Sequence, residues 1–173
     1  MPILPHMVKL LNKAVRLAAK VHIDQVDRFE QPYILHVLRV MVRGRDLDEQ
    51  LLGALHDVLE RSDLTVENLR EKGYPENVLE ALTHITRIEP EDYETYIDRV
   101  SKNSLAIRVK VHDLSDKMDL RNVGTLNEAD LKRYNKQMEA YQRLLHLESI
   151  VRAQLTLQVK TAAHTVRGVA KAK

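Results

Sequence analysis

Apolar residues return every three or four positions along almost the whole chain, and glycines and prolines fall between the periodic stretches. That pattern predicts helices throughout. A first helix is expected from His6 to Val26, carrying Val8, Leu11, Val15, Leu17 and Ala18, followed by a loop over Asp27 to Gln31. Pro32 suits a first helical position, and the next helix runs from Tyr33 to Val42 and stops near Gly44. Asp46 or Asp48 can cap a third, Glu49 to Glu60, with Leu52, Leu55 and Leu59 on its apolar face. Thr65 begins a short helix that Gly73 ends. Pro75 opens one reaching Ile85, and Pro90 opens another through Val100 whose first turn holds Glu91, Asp92 and Glu94. Asn103 to Met118 form the next, bearing Leu105, Ile107, Val109 and Val111, and a long C-terminal helix after Asn127 is expected in two pieces meeting near Ser149. No stretch alternates as paired strands do, and no linker divides the chain. The expectation is an all-α, compact orthogonal helical bundle of about seven or eight helices. Residues 1–173 form one domain in this reading, with 127–173 a C-terminal helical extension.

Composition changes this picture little. A chain of 173 residues can bury a stable core without disulfides. It has no cysteine, which excludes thiol catalysis and zinc–cysteine sites and suits a cytoplasmic protein. Met1 to Lys20 lacks the apolar core and cleavage pattern of a secretory signal. No apolar run approaches the roughly 20 residues of a membrane span, so no membrane partner is expected. A net charge of +2 gives no argument for nucleic acid. The charge is uneven, however. After Glu148 come Arg152, Lys160, Arg167, Lys171 and Lys173 and no acid. A solvated helix end is the simpler reading; an anion- or partner-binding tail is the other.

Candidate chemistry starts at His56-Asp57. Adjacent helical residues point about 100° apart, so the two chelate one cation only where a helix presents an edge to a cavity and other helices complete the shell. His36 lies mid-helix on the preceding element. Asp113 lies beside Val109, Val111 and Leu114, where an unpaired carboxylate is costly to bury. Each alone has a plain explanation: a satisfied core histidine, a buried salt-bridge partner. Together, two imidazoles and two carboxylates suit Mn²⁺, Fe²⁺, Co²⁺ or Zn²⁺ better than Ca²⁺. His112-Asp113 is a second such dipeptide, and spacing does not choose between the pairs.

The flanking text carries a resemblance. Pro32-Tyr33-Ile34-Leu35-His36, Leu55-His56-Asp57-Val58-Leu59-Glu60, Asn103-Ser104-Leu105-Ala106 and Val109-Lys110-Val111-His112-Asp113-Leu114 resemble, in order and spacing, the HD-domain phosphohydrolases. More narrowly they are similar to the hydrolase domain of bifunctional and small alarmone hydrolases, which remove the 3′-diphosphate of (p)ppGpp. The resemblance covers roughly Leu10 to Asn122. It implies that His36, His56, Asp57 and Asp113, rather than His112, hold a divalent metal, most often Mn²⁺. It also implies that Glu60 handles the attacking water and that the substrate is a small nucleotide. Several positions depart from the family pattern. Arg61 stands where an aspartate is usual beside Glu60, and Asp27 where an arginine packs on the base. Lys117 and Leu120 replace an asparagine and a threonine that contact the nucleotide. His22, Gln25 and Arg28 fit. Arg28, Arg61 and Lys117 are candidate phosphate contacts, since guanidinium and ammonium groups both suit phosphate oxygens. Phe29 is read as a loop residue folded onto the core, with stacking on a base the other reading, and Asp116 and Asp119 as helix-end acids rather than ligands of a second cation. Met138, Tyr141, Leu144, Leu145, Leu147, Ile150, Leu155 and Leu157 either close the bundle or pack against a second copy. No synthetase motif set is present, so hydrolysis alone is expected.

Overall fold

A computed structural model of the chain describes the backbone of residues 5–121 and 125–171, and the side chains of residues 6–121 and 125–154 together with Thr156. Eight helices are described: α1 (Pro5–Val21), α2 (Tyr33–Val42), α3 (Leu47–Leu55), α4 (Val66–Glu71), α5 (Glu76–Ile85), α6 (Tyr93–Val100), α7 (Ser104–Lys117) and α8 (Glu128–Lys171). The only β pairing among the described residues is one isolated bridge between Val26 and Pro32. The fold is an all-α bundle, as the periodicity predicts. Among the described residues no helix is long and apolar enough to cross a membrane. Lys160, Arg167, Lys171 and Lys173, with Leu155 and Leu157, lie outside the residues whose side chains are described.

Two helices are buried on nearly every side and act as the axis of the bundle. In α3, Glu49 and the whole run Leu51–Leu55 are buried, and the helix packs against α1, α2, α5 and α7. Its low amphipathicity follows from having partners all round. In α7, Asn103 accepts hydrogen bonds from the amides of Leu105 and Ala106, both at 3.0 Å, before the core run Leu105, Ala106, Ile107 and Val109. The inner line of α1 is Leu10, Ala14 and Ala18, one residue every turn, so Val8 faces outward.

Several ends differ from the sequence expectation. The first helix stops at Val21 rather than Val26, because the Gln25 side-chain amide donates to the Val21 carbonyl (3.3 Å) and takes over a terminal acceptor. Pro32 is the N-cap of α2, not its first residue. The third helix ends at Leu55, five residues short of Glu60: the Val58 amide turns back to the Leu55 carbonyl at 2.9 Å. The sixth begins at Tyr93, where Asp92 caps the Thr95 amide at 2.8 Å, leaving Pro90 in the preceding loop. Finally, α8 is continuous through Ser149, whose hydroxyl donates to the His146 carbonyl (2.7 Å) without breaking the helix.

Candidate metal centre and adjoining cleft

The close approach of α2 and α3 depends on Gly53. A Cβ there would lie 2.8 Å from the Met41 Cα, closer than real side chains come, so only glycine lets the two backbones meet. This brings His36, on α2, and His56, at the C-cap of α3, to ring centroids 5.3 Å apart. Gly53 contributes a second time, through its carbonyl, which accepts from His56 Nδ1 at 2.7 Å. A carbonyl only accepts, so Nδ1 of His56 carries a proton and Nε2 is the nitrogen left to face the site. His36 is set the same way. Its Nδ1 meets Asp116 Oδ2 at 2.8 Å, and Asp116 is itself held by Arg39 Nε at 2.9 Å and Arg43 Nη1 at 2.8 Å. Both imidazoles therefore aim Nε2 inward.

Asp57 follows directly in the turn after α3. His36, His56 and Asp57 are buried, and one ligand atom from each lies within 4.8 Å of the others. Asp57 Oδ2 is 3.2 Å from His56 Nε2 and 4.0 Å from His36 Nε2. From α7, Asp113 Oδ1 stands 3.2 Å from His36 Nε2 and 3.8 Å from His56 Nε2. Separations of ~3 to 4 Å are those between neighbouring ligands whose bonds to one ion are ~2.0–2.2 Å. His36 Nε2, His56 Nε2 and Asp113 Oδ1 are all buried without a hydrogen-bond partner. Buried polar atoms of this kind are rare, and three facing one another suit a shared cation. The His36–His56–Asp57 triad thus fits a divalent metal, with Asp113 beside it.

Charge around the triad is dense. Lys110 Nζ pairs with Asp113 Oδ2 at 2.7 Å, and Lys117 Nζ stands 2.8 Å from Oδ1, outside hydrogen-bond alignment. The Tyr33 hydroxyl donates to Asp57 Oδ2 at 2.5 Å. Burial pushes the Asp57 carboxyl up, but His56 and Lys117 outweigh it and hold the group well below the usual range. Asp113 behaves alike: burial raises it, and Lys110 and Lys117 bring it well down. Burial lowers His36, yet the carboxylates of Asp113 and Asp116 carry it above its ordinary value.

Beside the triad opens a cleft of about 760 Å³. Of the residues singled out in the sequence, Arg28, Phe29, Arg61, Lys117 and His36 line it together, as do Asp27 and Asp119. The Arg61 guanidinium lies 5.5 Å from the Tyr33 ring centroid, and among the described residues no carboxylate comes within salt-bridge distance of it. Arg28 covers the Phe29 ring at 4.6 Å and reaches the Lys117 carbonyl at 3.4 Å. Phe29 is thus half-buried in the cleft wall rather than folded away into the core. Asp27 shapes the loop, accepting from the amides of Phe29 (2.8 Å) and Gln31 (3.0 Å). Glu60 is not among the cleft-lining residues. It is exposed, and its Oε1 accepts from the Arg87 amide at 2.6 Å.

Asp116 is the main residue that sequence reasoning undervalued. It stands in the last turn of α7, as a helix-end acid would, but it is buried and orients His36. The signal was its position three after Asp113, which places both carboxylates on one face of α7. Tyr33 and Lys110 sit inside the quoted motifs without having been given a task. His22, buried with its ring 5.1 Å from Tyr33, carries another unpartnered Nε2.

No family model matches the chain. Over 155 residues it is 30% identical to guanosine-3′,5′-bis(diphosphate) 3′-pyrophosphohydrolase of Aquifex aeolicus (strain VF5). The match takes in 82% of this chain and 22% of that protein, so the chain spans about a fifth of its relative's length.

Proposed function

We propose that this chain is a metal-dependent phosphohydrolase domain of the HD type, most like a (p)ppGpp 3′-diphosphohydrolase, releasing pyrophosphate from a small nucleotide. The observation that carries it is the set of three buried ligand atoms that make no hydrogen bond, His36 Nε2, His56 Nε2 and Asp113 Oδ1, facing one another beside Asp57. His36, His56, Asp57 and Asp113 are the proposed ligands, and Mn²⁺ is the proposed ion. A divalent ion there lowers the pKa of a bound water and polarises a phosphoryl oxygen. Asp116 and the Gly53 carbonyl keep both imidazoles in the ligating tautomer. Arg28 and Arg61, on the cleft wall, are assigned to the substrate's phosphates. Glu60 is assigned the proton of the water through Oε2, its Oε1 being held by the Arg87 amide. Residues 1–173 are read as one such domain, with 127–173 its helical extension.

The test is incubation of the purified protein with Mn²⁺ and a panel of ppGpp, deoxynucleoside monophosphates and cyclic dinucleotides. Pyrophosphate release from ppGpp is the expected outcome. Phosphate or a linearised dinucleotide instead would assign the domain to a nucleotidase or phosphodiesterase. A second reading is a catalytically weak nucleotide-sensing or protein-interaction module. It is favoured by Arg61 beside Glu60 and by the hold of Arg87 on that glutamate. Nucleotide binding without turnover of any panel member would establish it. If His56→Ala leaves the metal content of the protein unchanged, the ligand assignment is wrong.

A further inference from the structure

The most informative contact outside the ligand set is that between Lys117 and Asp113. Among the described residues, Asp113 alone has a lysine at each carboxylate oxygen: Lys110 at Oδ2 and Lys117 at Oδ1. The two lysines are held differently. Lys110 is buried, with a side-chain exposure of 9%, and its ammonium lies 4.9 Å from the Tyr96 ring centroid. Lys117 is the last residue of α7, its side chain is 31% exposed, and it lines the large cleft.

Oδ1 is also the Asp113 oxygen that faces both histidines. An ion bound to it at ~2.1 Å would lie within about 5 Å of an ammonium that stayed where Lys117 now is. In that position the two carboxylates, Asp57 and Asp113, are already balanced by the two lysines. A dication arriving without any departure would leave two uncompensated charges in a buried site.

Resting on the metal reading above, we infer that Lys117 is a displaceable stand-in cation: a divalent ion and the Lys117 ammonium exclude one another at Asp113 Oδ1, and metal loading turns Lys117 out into the cleft. Lys110 stays, because its ammonium is enclosed by Tyr96 and Asp113 Oδ2. The unbranched four-carbon stem of Lys117 allows the swing without moving the α7 backbone. The displaced ammonium then joins Arg28 and Arg61 on the cleft wall. Metal loading and anion affinity are thereby linked, each favouring the other.

The test compares Mn²⁺ binding, by electron paramagnetic resonance of free Mn²⁺, in wild type, Lys117→Met and Arg61→Gln. Each variant removes one cleft cation, but only the first touches Asp113. Lys117→Met is expected to bind Mn²⁺ roughly tenfold tighter or more, and Arg61→Gln to change by less than about threefold. Equal tightening in both would overturn the inference in favour of a general field effect, and so would no tightening in Lys117→Met, while the metal reading itself would stand. Absence of binding in wild type and Lys117→Met alike would remove the metal reading and this inference together. Acetylation footprinting on the wild-type chain gives a second readout independent of any variant's folding. Zn²⁺ should raise the reactivity of Lys117 relative to the exposed Lys102, and unchanged reactivity would overturn the swing.

Discussion

At the scale of single residues, the His36–Asp116 pair shows how a ligand is made rather than merely supplied. An imidazole ligates through whichever nitrogen lacks the proton, and Asp116 decides that for His36. Arg39 and Arg43 in turn hold Asp116 in place; burial raises its carboxyl, but His36 and Arg39 bring it below the usual range. Asp116→Asn keeps the shape but loses the charge and leaves the two guanidinium groups less well paired. Its Mn²⁺ affinity should fall about 10- to 100-fold by isothermal titration, with the far-ultraviolet circular dichroism unchanged. A retained affinity would show that His36 needs no orienting carboxylate.

At the scale of elements, the site is a consequence of how tightly α2 lies on α3 and how firmly α7 begins. Gly53→Ala places a methyl carbon against the Met41 backbone, which has no flexible end to yield. Overpacking of this kind costs about 1–3 kcal/mol, read as a lower urea midpoint, and should weaken metal binding by separating the two histidines. Asn103→Ala removes the side-chain acceptor for two amides at the start of α7. A loss of about 1 kcal/mol is expected, with metal affinity nearly intact because Asp113 lies more than two turns further on. The boundaries of α2, α4, α5 and α7 were legible from Tyr33, Thr65, Gly73, Pro75 and Asn103. The ends of α1 and α3 were not. Gln25 and His56 terminate those helices with their side chains, and apolar periodicity carries no trace of such bonds.

At the scale of the whole molecule, charge ties the core helices to α8. Buried Glu49 on α3 accepts from Arg108 of α7 at 2.6 Å and pairs with Arg45 (3.2 Å), which reaches Glu148 of α8 at 2.7 Å. Burial pushes the Glu49 carboxyl up, but Arg45, through its backbone amide and guanidinium, and Arg108 bring it below its ordinary value of 4.5. The folded chain therefore binds fewer protons at Glu49 than the unfolded chain does. The stability this contributes is fully present above about pH 4.5 and lost as the pH falls through the depressed value. In Glu49→Gln that part of the acid loss should disappear: the difference in stability between wild type and variant, by urea titration, should shrink steadily as the pH is lowered from 5 to about 3. Leu144, fully buried where α8 meets the bundle, offers the apolar counterpart. Leu144→Ala should cost about 2–5 kcal/mol, seen as a lower denaturant midpoint.

By itself the sequence determined the helical class and several of the helix ends, while His36 and the His56-Asp57 dipeptide stood out only through the resemblance of their flanking motifs. The class and the ends depend on neighbours within a turn, which a linear pattern records. Tertiary structure alone decided which nitrogen each histidine presents. It also decided that Asp116 answers to Arg39 and Arg43 on another helix, that Glu60 turns to Arg87, and that Lys117 rests on Asp113 Oδ1. The Asp116 and Glu60 contacts join residues far apart in the chain, whereas the His56–Gly53 bond and the Lys117 contact each lie within about one helical turn. Even the Lys117 contact, one helical turn long, takes its meaning from two histidines brought there by α2 and α3. Electrostatic partners in a buried site are set by which helices meet, and that is a property of packing.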